Sequence, residues 1–167
     1  MNINDETSVL QLVGTNNISG PVVLNSGTLK AEENSTISGV MTLEGAANID
    51  VVQEKSLIYN GPSLSLGPKT LTLSGLGSFS TSDFISLDDS EGQLILKDGM
   101  DLVKFEVTAS SGNEPGLRIV NTGTELKNVY LSADFVADSV EPIFVEQLSI
   151  NDQVKFSSNQ NLNFENL

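Results

Sequence analysis

Between residues 21 and 99 the apolar residues recur in units of roughly 20 residues, broken at Gly, Asn and Pro, and few folds accommodate that period. The units open at Pro21-Val22-Val23-Leu24-Asn25, at Val40-Met41-Thr42-Leu43-Glu44, at Pro62-Ser63-Leu64-Ser65-Leu66 and at Asp83-Phe84-Ile85-Ser86-Leu87. Aligned by apolar positions they give three columns: Leu24, Leu43, Leu66 and Leu87; Leu29, Ile49, Leu71 and Leu94; Ile37, Ile58 and Phe79. The third column has no fourth member, because Leu96 arrives too early. Each unit reads as three short strands with period-2 alternation, joined by small or polar turn residues.

A coil of that length with three strand faces is the rung of a right-handed parallel β-solenoid, or β-helix. Inward side chains then stack on the same column of the neighbouring rung, and backbone hydrogen bonds run between rungs about 4.8 Å apart. Helix signals are nearly absent. The segment Ala46 to Lys55 comes nearest, but its Asp50-Val51-Val52 favours strand. The chain is expected to be all-β, one solenoid domain over 1–167, with the regular repeat at 21–99 and longer, less regular strands at 100–167. That second part either continues the coils or folds back as a cap, and continuation is the favoured reading.

Composition narrows the chemistry. The 167 residues carry 22 acidic and 8 basic side chains, a net charge of -14, and neither His nor Cys. Nucleic acid is disfavoured as a partner, since a duplex binder needs a basic footprint. Without His or Cys the Ser-His-Asp and Cys-His nucleophile systems, thiolate chemistry and disulfides are excluded, along with most zinc sites. No apolar run approaches the roughly 20 residues of a membrane span, so membrane insertion is not expected. The first residues lack the basic and apolar stretches of a secretory signal. An exported protein of this sequence would carry its signal on a further part of the polypeptide.

Few candidate sites emerge. Sugar-cleaving chemistry needs paired carboxylates, and Asp88-Asp89 is the adjacent acidic pair in a plausible position. Aromatic platforms are limited to Tyr59 and Tyr130, with Arg118 the single arginine, so no catalytic residue is assigned and no enzyme is expected. Ser80-Thr81-Ser82 has no activating base and reads as turn. The acidic stretches Asp88-Asp89-Ser90-Glu91 and Asp134 to Asp138 offer oxygen ligands of the kind calcium takes, but neither an EF-hand loop nor a Gly-Gly-x-Gly-x-Asp nonapeptide is present and the metal question stays open. No cofactor is expected. Thr70 and Thr72 could order water on a flat strand, but the pattern does not repeat at the rung period. Asn17-Ile18-Ser19 and Asn34-Ser35-Thr36 match the glycosylation sequon, although asparagine stacking from rung to rung accounts better for these residues. Lys97 and Lys104 read as solvated charges.

The cadence Asn25-Ser26-Gly27-Thr28-Leu29, Asn34-Ser35-Thr36-Ile37-Ser38-Gly39 and Leu43-Glu44-Gly45-Ala46-Ala47-Asn48-Ile49 resembles the passenger regions of autotransporters and related large bacterial adhesins. The resemblance covers about half of the chain and implies an extracellular right-handed β-helix at the cell surface. The expected function is a noncatalytic structural rod module of an adhesin, surface layer or filament. Its partners would be neighbouring modules of a longer chain, or further copies joined end to end or as a homotrimer. Virion fibre and tail proteins share a similar cadence, so a virion fibre or decoration protein is the alternative. A carbohydrate-processing β-helix comes third.

Overall fold

In the computed structural model, residues 1–87, 89 and 91–103 are described in full. Beyond them the backbone is described for the strands lying within 104–109, 117–120, 125–132, 135–138, 143–145, 148–150, 156–158 and 162–164. The first coil consists of β1 (Asn2–Ile3), β2 (Val9–Leu12) and β3 (Asn16–Ile18). The second is β4 (Val22–Leu24), β5 (Gly27–Ala31) and β6 (Ser35–Ile37). The third is β7 (Met41–Leu43), β8 (Ala47–Val51) and β9 (Ser56–Tyr59). The fourth is β10 (Leu64–Ser65), β11 (Thr70–Gly75) and β12 (Ser78–Thr81). The fifth opens with β13 (Phe84–Leu87) and β14 (Gln93–Leu96) and passes into the long β15 (Asp101–Ala109). The remaining strands are β16 (Leu117–Val120), β17 (Glu125–Ser132), β18 (Phe135–Asp138), β19 (Ile143–Val145), β20 (Leu148–Ile150), β21 (Phe156–Ser158) and β22 (Leu162–Phe164).

The ladders among these strands are parallel, and each joins a strand to its counterpart one coil along. Partner offsets run from 18 residues, Leu117 with Phe135, to 24, Ala47 with Leu71. The chain is therefore a parallel β-solenoid. Its middle face is the eight-stranded sheet β2-β5-β8-β11-β14-β16-β18-β21. The third face runs β3-β6-β9-β12-β15-β17-β19-β22. The first face begins as β1-β4-β7 and resumes at β10-β13. The strand β15 belongs to two faces: Asp101 and Leu102 pair with Ser78 and Phe79 on the third, while Glu106 to Ala109 pair with Phe84 to Leu87 on the first. The strand β17 repeats that crossing, pairing with β19 near its start and β20 near its end. Parallel ladders thus also join the described strands beyond residue 103.

The interior is aliphatic because alternate residues of every face point inward. Leu24 stacks on Leu43 and Leu29 on Ile49, as the columns require, and all but the slightly exposed Leu43 have no accessible surface. Each such fully buried side chain contributes about 1.5–3 kcal/mol. Two columns need correction. Ile49 pairs with Leu73, and Leu71 with Ala47 and Leu94, so the second column is displaced by two residues between coils three and four. Leu96 continues the Ile49–Leu73 column on the middle face and is not a premature member of the third. On the third face Ile58 pairs with Thr36 and points outward at 37% exposure, while Leu57 and Tyr59 on either side fill the core. The repeat also starts earlier than residue 21, since β1, β2 and β3 form a complete coil paired to the second. Within the segment nearest to a helical reading, Ala47–Val51 form strand β8 and Gln53-Glu54 turn the chain.

Coils approach so closely at some corners that only glycine fits. A Cβ on Gly45 would strike the carbonyl oxygen of Asn25 one coil away, and one on Gly39 would strike that of Gly20.

Candidate functional surface

Outward residues of the middle face form two columns. One contains Thr28, Asn48 and Thr72, the other Lys30, Asp50 and Ser74. All of them but Thr72 line a depression of about 550 Å³ that Gln11, Lys97 and Asp98 also border. A smaller hollow of about 230 Å³ adjoins it, where Gly27 and Ala47 leave space beside Glu6, Thr70 and Thr72. Ser74 Oγ donates to Asn48 Oδ1 at 3.0 Å, tying coil four to coil three. Lys30 Nζ lies 3.5 Å from Glu32 Oε1, which also accepts from Gln11 Nε2 at 3.1 Å. Burial pushes the Asp50 carboxyl above its usual value; Lys30 works against that, while Asp98 and Glu32 add to it. Chemically this is a shallow hydrogen-bonding strip. None of Lys30, Asn48, Asp50 or Ser74 stands out in the sequence for its chemistry; the available signal was their place one residue from an inward aliphatic column.

The corners are cross-linked from coil to coil by polar side chains. Asn34 Oδ1 accepts from Ser56 N at 2.9 Å and from Ser56 Oγ at 3.2 Å. Asn25 Nδ2 donates to Asn4 Oδ1 at 3.0 Å. These are the rung-to-rung asparagine bridges anticipated from composition. Lys55 Nζ meets Glu33 Oε2 at 2.6 Å along the same corner as Asn34.

The residues singled out in the sequence do not converge. Tyr59 is 1% exposed, and its hydroxyl accepts from Met41 N at 3.2 Å, so it is a core residue and no platform for a sugar. Asp89 organises its own turn, its carboxylate accepting from Glu91 N at 3.0 Å and its carbonyl from Gly92 N at 3.1 Å. Asp88, Ser90 and Asp134 lie outside the described residues, as do the side chains of Lys104, Arg118, Tyr130 and Asp138. In the Ser80-Thr81-Ser82 segment, Ser80 is half-buried and Ser82 is exposed with its Oγ 3.5 Å from the carbonyl of Tyr59. Thr81 is buried with an Oγ1 that has no hydrogen-bond partner. Thr70 and Thr72 sit on the middle face beside Asn48, without a further threonine pair on adjacent coils. Asn17 is exposed on the third face, and Lys97 borders the larger depression. Among the described residues no three acidic side chains gather as a metal site would require.

The fold and this surface together define a parallel β-solenoid with polar outer faces. No family model, curated protein or solved structure matches the chain.

Proposed function

We propose that this chain is a noncatalytic rod module of an extracellular surface protein, serving reach, rigidity and the presentation of a polar face. The observation that carries the reading is the unbroken stacking of the middle face, an eight-stranded parallel sheet whose fully described coils enclose a hydrophobic interior. Such a tube extends by adding coils, each resting only on its neighbours. At about 4.8 Å per coil, its eight middle-face strands span roughly 40 Å. Two described residues support a structural role: Tyr59 fills the core, and the carboxylate of Asp89 is engaged in a turn. A rod of this kind works within a series, continuous with neighbouring modules or joined to further copies.

Antibodies raised against the folded chain test the reading on intact cells of the source organism. Surface labelling that mild external proteolysis removes is the expected result. Labelling found only after cell lysis refutes the surface role, and labelling confined to virus particles transfers the rod to a virion fibre or decoration protein. Release of sugars from polysaccharide by the purified chain would refute the noncatalytic assignment.

A further inference from the structure

The sequence contains a single Asn-Gly pair, Asn60-Gly61, and the fold sets it at the corner where the third coil passes into the fourth. The pairing of Ile37 with Tyr59 carries on into this corner, so that Asn60 stands over Ser38 and Gly61 over Gly39. The peptide bond before Asn60 is tied to both neighbouring coils. Its amide, on Asn60, donates to the Ile37 carbonyl at 2.7 Å, and its carbonyl, on Tyr59, accepts from Ser82 N at 2.9 Å. The next peptide bond is tied to neither. Among the described residues the Asn60 carbonyl and the Gly61 amide take part in no hydrogen bond, although Gly39 N, at the same corner one coil earlier, donates to the Ile18 carbonyl at 3.2 Å.

The side chain is equally free. Asn60 is exposed, and among the described residues its amide group has no partner, whereas those of Asn25, Asn34 and Asn48 are held by Asn4, Ser56 and Ser74. These are the conditions under which a backbone nitrogen attacks the side chain before it. Glycine at the attacking position has no Cβ to obstruct the approach. The reacting atoms belong to adjacent residues and meet without losing translational freedom. No hydrogen bond has to break for the peptide to turn into line.

We propose that Asn60-Gly61 is a self-modification site at which the rod ages, with water as the sole co-reactant. Hydroxide takes the proton from the Gly61 amide, the nitrogen bonds to Asn60 Cγ, and ammonia leaves Cγ with a proton returned from water, closing a succinimide ring. Water then opens the ring. Attack at Cγ restores a normal main chain bearing an aspartate; attack at the main-chain carbonyl leaves Gly61 joined through Cγ, an isoaspartyl link. That link puts an extra carbon into the main chain where there is no slack. A Cβ on Gly61 would already strike the Gly39 carbonyl and the Tyr59 ring, so the glycine cannot shift to absorb the added length. Coils three and four must loosen. The reaction needs no partner and no particular location, and its failure would leave the proposed function standing.

Peptide mapping of the full chain tests it. Trypsin cleaves after Lys55 and Lys69 and isolates residues 56–69, in which Asn60 is the one asparagine. The protein is incubated folded and, in parallel, unfolded in guanidinium chloride. In the folded chain this peptide should gain about 1 Da, at a rate that climbs with hydroxide and stays within about threefold of the unfolded rate. Asn25 and Asn34, whose amides are bonded, should slow on folding by on the order of tenfold. Asn60→Gln should hold its mass. Isoaspartate, recognised by fragmentation, should be the main product, and aged protein should melt below Asn60→Asp, which has the same charge on a normal main chain. Folding that slows Asn60 as much as Asn25 and Asn34 overturns the proposal, and so does an equal mass gain in Asn60→Gln. Aged protein that melts together with Asn60→Asp overturns the loosening of the coils.

Discussion

The backbone amide of Met41 donates to the hydroxyl of Tyr59 across 3.2 Å inside the solenoid, where the tyrosine is 1% exposed. The bond lets the core hold one large phenol without stranding either polar group. Tyr59→Phe keeps the ring and orphans the amide of Met41, which should cost about 1–3 kcal/mol in urea unfolding. A loss below the error of the measurement would show that the amide has another partner.

The same phenol predicts an alkaline limit. Burial, its main cause, holds the Tyr59 hydroxyl above the ordinary value of 10.0, while the bond from Met41 draws it down. The folded state therefore keeps the proton more tightly than the unfolded chain. The associated stability is complete below pH 10 and is lost as pH rises beyond it. Urea midpoints measured from pH 8 to 11 should fall more steeply for the wild type than for Tyr59→Phe; parallel curves would exclude Tyr59 as the source.

Thr81 predicts a gain. Its Oγ1 is buried with no partner, so the isosteric Thr81→Val removes a desolvated polar atom without opening a cavity. Stability should hold or rise by about 1 kcal/mol, read as a higher melting temperature. A loss of that size would mean that the hydroxyl is satisfied in solution.

Two glycines should respond in opposite directions to alanine. A Cβ at Gly45 meets the Asn25 carbonyl, and backbone cannot yield cheaply, so Gly45→Ala should cost about 1–3 kcal/mol. At Gly20 nothing lies within 4 Å, and Gly20→Ala should gain about 0.4–1 kcal/mol by restricting the unfolded chain. Chemical denaturation of both variants checks the order, and the reverse order would contradict the close approach of coils two and three.

Asp50 links the middle face to pH. Its carboxyl is raised from 3.8 chiefly by burial, so the folded chain binds that proton more tightly than the unfolded one. This contribution to stability is present at low pH and lost as pH rises through the folded value. Relative to Asp50→Asn, the wild type should therefore gain stability on acidification from pH 7 toward 4. Because the group is only half-buried, the effect is small. An equal response in both proteins would remove Asp50 from the account.

The solenoid and its interior were legible because a period near 20 residues and strand alternation are both properties of sequence. Exact stacking was not. A shift of two residues leaves the same side chains pointing inward, so nothing in the text distinguishes Leu71 from Leu73 as the neighbour of Ile49. A shift of one does matter: Leu57-Ile58-Tyr59 is an apolar run in which only the pairing of Ile37 with Tyr59 shows which members face the core. The middle-face strip escaped notice for a related reason. Its members stand about 20 residues apart in the text, and only register brings Lys30 beside Asp50.

The ladders that join the coils also fix how the molecule bears load. Their hydrogen bonds lie along the long axis, and each strand is bonded only to the coils directly before and after it. Tension applied at the two tips would strip turns in succession, each rupture releasing a length of slack chain. Pressure along the axis instead drives the turns together, making the tube a strut and a poor rope.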